Sequence, residues 1–183
     1  MEQNDVRSSD EIAIRCVILN ALLFVVHGGA SSDNIQKKLK ALGLWNSVSP
    51  LEKQFLLKEN YLQEELDEVS WKRESLFMLL WTLREVKEIN EPNDEGDISI
   101  EILQKLSSDP LLWVKQVAIR STDEISKAEE DIYNIHWAVR NATINNQKIP
   151  NNYNINVVFN RHYAINWVEK YNDAEWDNIT VDT

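Results

Sequence analysis

Glycine, proline and cysteine are all scarce in this chain of 183 residues. With only four Gly and four Pro, few positions break a helix, so the long stretches rich in Leu, Ile, Glu and Lys favour helices over strands and turns. The single cysteine, Cys16, excludes an intramolecular disulfide and a thiolate metal cluster. Its neighbours are apolar, which predicts a small buried side chain in place of a nucleophile. We therefore predict an all-α protein.

Long apolar runs are also missing. The longest, residues 16–26, is interrupted by Asn20 and is too short to span a bilayer. Asp10 and Glu11 precede it, where a signal peptide would carry positive charge. These features predict no membrane association and a cytoplasmic protein.

Basic residues are outnumbered, since 19 Lys and Arg face 30 Asp and Glu for a net charge of −11. The densest basic stretch is Lys37, Lys38 and Lys40, which is typical of the solvated face of a short helix. A nucleic-acid partner would require a basic stripe, and none is visible. An acidic surface instead suits a basic protein partner, because complementary charge speeds encounter.

Motifs of known chemistry are not found. The sequence has no GxSxG, no glycine-rich phosphate loop and no HExxH or HxxxH spacing. It therefore identifies no catalytic residue, no cofactor site and no metal site.

Capping signals divide the chain into helices. Ser8, Ser49 and Ser121 are each followed three residues later by Glu, the pattern of a capping box at a helix start. The sequence predicts one domain, residues 1–183, built as an irregular bundle of about seven or eight helices with a docked C-terminal tail. The expected helices begin at about residues 8, 32, 49, 70, 98, 109, 121 and 157; the longest runs to 144, the last from 157 to 171, and a loop covers 145–156.

An arginine interrupts the apolar face of the last predicted helix. At about 100° per residue, Arg161 lies in the middle of a face formed by Val157, Ala164 and Val168, while His162 lies on its rim, one turn from Asn166. A buried guanidinium requires a carboxylate or several carbonyl partners.

A polar ridge follows one edge of the helix predicted over 121–144. Glu129, Tyr133, His136 and Arg140 recur at helical spacing beside a core stripe that runs from Ile125 to Thr143. Such a row either grips an anion and moves a proton or forms a polar seam between two helices. The sequence leaves both interpretations open.

The tail brings two more carboxylates. Asp177 and Asp182 each follow an apolar residue, Trp176 and Val181, which predicts a docked tail. We expect one of these carboxylates to neutralise Arg161, Asp177 before Asp182. The candidate polar cluster, whether a ligand site or a structural element, is Glu129, His136, Arg140, Arg161, His162, Asn166, Asp177 and Asp182.

Five blocks together resemble a bacterial family, the domain of unknown function 4272. They are RSSDEIAIRCVIL (7–19), WKRESLFMLLWTL (71–83), DIYNIHWAVRNA (131–142), VVFNRHYAINWV (157–168) and WDNITVDT (176–183). The resemblance implies that Arg161, Asn166–Trp167 and Trp176–Asp177 are characteristic of the family, and that Asn160 stands where its members usually have Glu. It implies no activity.

Two functions follow as expectations. The first is a non-catalytic module that binds a basic protein through its acidic surface, for instance as the neutralising partner of a toxin. The alternative is an enzyme or a binder of a small anion that gathers His136, Arg140, Arg161 and His162 with a tail carboxylate in one cleft.

Overall fold

The chain is helical, as the sequence predicts. A computed structural model describes residues 6–183, so the first five residues of the predicted domain lie outside it; in this range there are eight α-helices and no strand. None of these helices combines the length and apolarity needed to cross a bilayer. The helices are α1 (Ser9–Val26), α2 (Ser32–Ala41), α3 (Pro50–Leu56), α4 (Gln63–Thr82), α5 (Ile100–Ser108), α6 (Pro110–Val114), α7 (Thr122–Ile144) and α8 (Ile155–Val168).

The predicted capping boxes form. At the start of α7 the Glu124 amide donates to Ser121 Oγ at 3.3 Å, and Glu124 Oε2 accepts from the Ser121 amide at 3.0 Å. The same reciprocal pair begins α1 and α3. Three helices therefore start where the sequence places them.

The start of α4 was predicted wrongly. The helix begins at Gln63, seven residues before the predicted Ser70, and its N-cap, Leu62, has no side chain that can accept a hydrogen bond. Glu65 supplies half of the usual box by accepting from the Leu62 amide at 3.0 Å. The first turns of α4 are mostly acidic, and their two apolar residues, Leu66 and Val69, are only partly buried against the core.

Smaller differences occur at the last two helices. Helix α8 ends at Val168, and Lys170 adopts a left-handed backbone with φ of 54°. Thr143, predicted in the core stripe of α7, is exposed, and Ala142 is buried instead.

Helices α1, α4 and α8 form the centre of the molecule. Helix α4 packs against α1 on one side and α8 on another, and α7 covers α8. All six apolar residues from Leu76 to Trp81 are buried, as the run predicts. Helix α8 therefore lies between α4 and α7, with buried side chains on both sides.

The C-terminal tail docks, also as predicted. Trp176 is buried, and its ring meets those of Tyr163 and Trp167 edge-on. The Tyr163 hydroxyl donates to the Trp176 carbonyl, and Asn166 Nδ2 donates to the Thr180 carbonyl at 3.0 Å. The Arg15 guanidinium of α1 lies 4.9 Å from the centre of the Trp176 ring. The tail thus joins α8 to α1.

Candidate functional site

Arg161 is completely buried and hydrogen-bonded on every side. Its Nε donates to Glu74 Oε2 at 2.9 Å, Nη1 to the Asn90 carbonyl at 2.6 Å and Nη2 to Asn90 Oδ1 at 2.9 Å. The guanidinium carbon lies 4.7 Å above the centre of the Phe77 ring. The helical wheel was right that Arg161 faces the core and needs a carboxylate. The expected partner, Asp177, was wrong, because the acid is Glu74 of α4.

The Glu74–Arg161 pair also holds an irregular segment against the core. Residues 83–99 contain no regular secondary structure, and Glu74 Oε1 accepts from the Gly96 amide at 2.9 Å. A Cβ on Gly96 would lie 2.3 Å from the Phe77 ring, so only glycine allows this approach. Burial lowers the pKa of Arg161 from its ordinary value, and the Glu74 carboxylate opposes that shift.

The tail carboxylates act elsewhere. Asp177 Oδ2 accepts from the Leu51 amide in the first turn of α3 at 2.9 Å, and Asp182 Oδ2 accepts from the Thr180 hydroxyl at 2.8 Å. The Arg161 guanidinium points towards α4, whereas the tail crosses α8 at Tyr163 and beyond. Neither carboxylate is therefore the partner of Arg161.

The two histidines meet in the seam between α7 and α8. Nδ1 of His136 lies 2.8 Å from Nδ1 of His162, with the rings nearly perpendicular. One ring must donate and the other accept, so the two rings cannot both be protonated at Nδ1. The pKa of His162 is lowered to about 4, chiefly by burial and secondly by the neighbouring His136. The charge of Asp182 opposes this shift. Burial and Arg140 also lower the pKa of His136.

A carboxylate extends this pair into a chain of three groups. Glu129 Oε1 lies 3.9 Å from His162 Nε2, and burial, with Glu169 and Glu130 nearby, raises the pKa of Glu129. The negatively charged Glu129 oxygen favours the tautomer of His162 that carries its proton on Nε2. Nδ1 of His162 is then an acceptor, and His136 donates to it from its own Nδ1. The result is a polar seam between two packed helices, one of the two interpretations that the sequence leaves open.

The eight candidate residues therefore occupy separate places. Glu129, His136 and His162 form the seam, and Arg140 and Asp182 act on its histidines electrostatically. Arg161, Asn166 and Asp177 bind different parts of the chain. In residues 6–183, no three His, Cys, Asp or Glu side chains are grouped to hold a metal ion.

Sequence reasoning missed Glu74 and Asn90. Glu74 lies two residues before the apolar run of α4, and a carboxylate this close to such a run was a usable signal for a buried acid. Asn90 lies in a segment without regular secondary structure. Hydrophobic periodicity gives no signal for the position of such a residue.

A groove of about 760 Å³ separates α7 from the segment that Arg161 holds. Its floor is mainly apolar and its two rims are charged. The floor includes Met78, Trp81, Ile89, Pro92, Ile132 and Ile135, and the rims carry Lys87, Glu88, Glu91, Glu124, Lys127 and Asp131. Arg161 lines the base, where its donors are already occupied by Glu74 and Asn90.

These features define a class, an all-α protein whose buried polar groups mostly satisfy one another. More specifically, the chain belongs to the family described as Domain of unknown function (DUF4272), whose model matches residues 1–179. This confirms the family suspected from the sequence; the match covers the first four blocks and residues 176–179 of the fifth. No curated protein and no solved structure matches the chain.

The histidine pair predicts a loss of stability as pH falls. In the unfolded chain His162 takes up a proton near its ordinary pKa of 6.5, whereas in the folded protein this pKa is about 4. The unfolded state therefore binds more protons between these values. On lowering the pH from 6.5 to 4, His162 reduces the free energy of unfolding by on the order of 3 kcal/mol.

Urea unfolding at several pH values between 4.5 and 7.5 checks this expectation. His162→Gln should show a shallower pH dependence than the wild type. His27→Gln, which alters an exposed histidine, should leave the slope unchanged. Equal slopes for all three proteins would contradict the assignment.

Proposed function

We propose that this protein binds a basic protein partner and performs no catalysis itself. The observation that carries the proposal is the groove beside α7, which combines an apolar floor with rims that carry four carboxylates and two ammonium groups. Glu124 and Asp131 are already paired with Arg120 and Lys127, so the acidic rim that is open to a partner consists mainly of Glu88 and Glu91. The chain as a whole carries a net charge of −11, which also favours a basic partner. A short basic segment with apolar residues along one side complements such a groove in both charge and hydrophobicity.

The dimensions of the groove suit a segment of a protein. Its α7 wall extends from Glu124 to Ile135, a distance of about 16 Å along the helix axis. A helix of three turns or a short extended strand has this length. A toxin with an exposed basic segment is one partner of this kind, and covering that segment would neutralise it.

The alternative, an enzyme or anion binder with all its groups in one cleft, has less support. Its arginine clamp would require Arg161, whose guanidinium is occupied by Glu74 and Asn90. The histidines lie in the seam on the α7 side of α8 and hydrogen-bond to each other. At the seam, the guanidinium that acts on the histidines is Arg140, which lowers the pKa of His136.

Two variants of equal charge test the groove. Glu88→Gln/Glu91→Gln removes two carboxylates from the rim, and Glu59→Gln/Glu64→Gln removes two exposed carboxylates that do not line the groove. Both variants change the net charge by the same amount. Only the loss at the groove is expected to weaken partner binding, by about fivefold at low salt, since exposed charges contribute up to about 1 kcal/mol each.

The measurement begins with capture of binding proteins from a lysate of the source cells. Calorimetry with the purified partner then gives the dissociation constant for each protein in rising salt. We expect a basic partner whose affinity for the wild type and the control falls with salt. No basic partner, binding indifferent to salt, or equal weakening in both variants would contradict the proposal.

A further inference from the structure

A second cleft opens on the side of the molecule where the tail docks. It has a volume of about 420 Å³ and lies between α3, the first half of α4, α8 and the tail, which is within the size range of small-ligand sites. Its inner wall consists of buried residues, among them Glu52, Phe55, Tyr163 and Trp176. This cleft shares no lining residue with the groove beside α7, so the two sites are independent.

Lys72 of α4 brings an ammonium group into this cleft without a hydrogen-bond acceptor. Its Nζ lies 4.5 Å from the centre of the Tyr163 ring, and no oxygen of residues 6–183 accepts a hydrogen bond from it. Burial lowers the pKa of Lys72, and the charge of Glu68, one turn earlier on α4, is the largest of the effects that oppose this shift. A desolvated ammonium without an acceptor is unfavourable, so an anionic ligand would stabilise it.

Glu52 has the opposite deficit on the inner wall. Its Oε2 accepts from Arg15 Nη1 at 2.6 Å and from the Ser49 amide at 2.9 Å, whereas Oε1 is buried and has no donor among residues 6–183. A buried acceptor without a donor is destabilising. This oxygen lies below the surface of the cleft, so a ligand donor reaches it once a side chain of the lining shifts. Lys72, a neighbour that no hydrogen bond fixes, is able to shift in this way.

The remaining carboxylates of the cleft differ in how far they are occupied. Glu65 is paired with Lys58, and Asp177 Oδ2 accepts from the Leu51 amide. Glu68 is exposed at the rim and makes no hydrogen bond or ion pair within the described part of the chain. The cleft therefore offers one unmatched cation and two unmatched acceptors, surrounded by aromatic rings.

We propose that this cleft binds a small zwitterion with an aromatic side chain, such as a free aromatic amino acid. Its carboxylate accepts from Lys72 Nζ, and its ammonium donates to Glu68 at the rim and to Glu52 Oε1 below it. Its ring packs against Phe55 and Phe159. A ligand with only a cation leaves Lys72 without an acceptor, and a ligand with only an anion leaves both glutamate acceptors without a donor and is repelled by them.

NMR titration of the full chain with L-phenylalanine tests the site, at up to about 10 mM to detect dissociation constants in the millimolar range. We expect the amide signals of residues that line the cleft to shift, and those of the groove beside α7 to stay unchanged. 2-Phenylethylamine lacks the carboxylate and 3-phenylpropionate lacks the ammonium. Each should bind about tenfold more weakly than phenylalanine, the effect of losing one hydrogen bond to a charged group.

Two variants separate the contacts of the ligand. Lys72→Met should weaken the binding of phenylalanine about tenfold and leave that of 2-phenylethylamine unchanged, because only the contact to the carboxylate is lost. Glu68→Gln should weaken phenylalanine and not 3-phenylpropionate. Lys115→Met removes the same charge as Lys72→Met at an exposed lysine outside the cleft, and it should bind phenylalanine like the wild type.

Circular dichroism melting checks that each variant is folded. If Lys72→Met does not fold, the two analogues of phenylalanine decide the question on the wild type alone. A wild type without shifts in the cleft at the highest concentration would overturn the proposal. Either analogue binding as tightly as phenylalanine, normal binding by folded Lys72→Met, or equal weakening by Lys115→Met would also overturn it.

Discussion

Glu74→Gln is expected to lower the free energy of unfolding by about 3–5 kcal/mol, the range for removing one partner of a buried ion pair. Arg161 would remain buried with exposed fraction 0%, facing an amide that carries no charge. Asn90 alone cannot offset the desolvation of the guanidinium. For a chain of this size the change corresponds to a fall in melting temperature of about 10 °C.

Two further proteins make this measurement decisive. Asp182→Asn, at one of the two carboxylates expected from the sequence to neutralise Arg161, should leave the melting temperature within about 2 °C, because Asp182 is exposed. Glu74→Leu/Arg161→Met removes both charges and should lose less than Glu74→Gln, since no unpaired charge remains. A double variant as unstable as the single one would argue against an unpaired charge as the cause.

Trp176→Ala should be comparably destabilising, by about 3–5 kcal/mol, as for other buried aromatic residues. The indole is 3% exposed and fills the space between Tyr163, Trp167 and Arg15. Its loss leaves a cavity and removes the anchor of the tail. The Asp177 contact to α3 depends on that anchor, because the two residues are adjacent.

Denaturant unfolding measures this change, and Tyr171→Ala is the matched control. Tyr171 is also an aromatic residue of the C-terminal segment, but it is 40% exposed. Its replacement should change the free energy of unfolding by less than about 1 kcal/mol. Equal effects at the two positions would show that the tail is not anchored through Trp176.

The sequence predicted those parts of the fold that local interactions determine. Both ends of α7 were predicted correctly, because Ser121 and Glu124 form a local capping box and the apolar stripe has a helical period. The start of α4 was missed, because Leu62 offers no side-chain cap and the mostly acidic first turns contain only two apolar residues, Leu66 and Val69. A helix end without a local signal depends on tertiary packing, which periodicity does not contain.

The same distinction applies to the candidate site. The burial of Arg161 followed from its position on one helix, so the wheel predicted it. Its partner, Glu74, is 87 residues away along the chain and on another helix, so the choice between Glu74 and Asp177 required the packing of α4 against α8. The contact between His136 and His162 likewise depends on the alignment of α7 with α8.

The contacts of Gly96 and Asn90 have a consequence for the dynamics of the molecule. Segments without helices or strands commonly open independently of the core, but residues 83–99 are tied to the buried Glu74 and Arg161. Opening this segment removes the Asn90 acceptors from the buried Arg161 guanidinium and the Gly96 amide from Glu74. We therefore expect the segment to open together with α4 and α8 and not independently of them. One wall of the groove is consequently preorganised, and a ligand that enters it loses little affinity to the ordering of a loop.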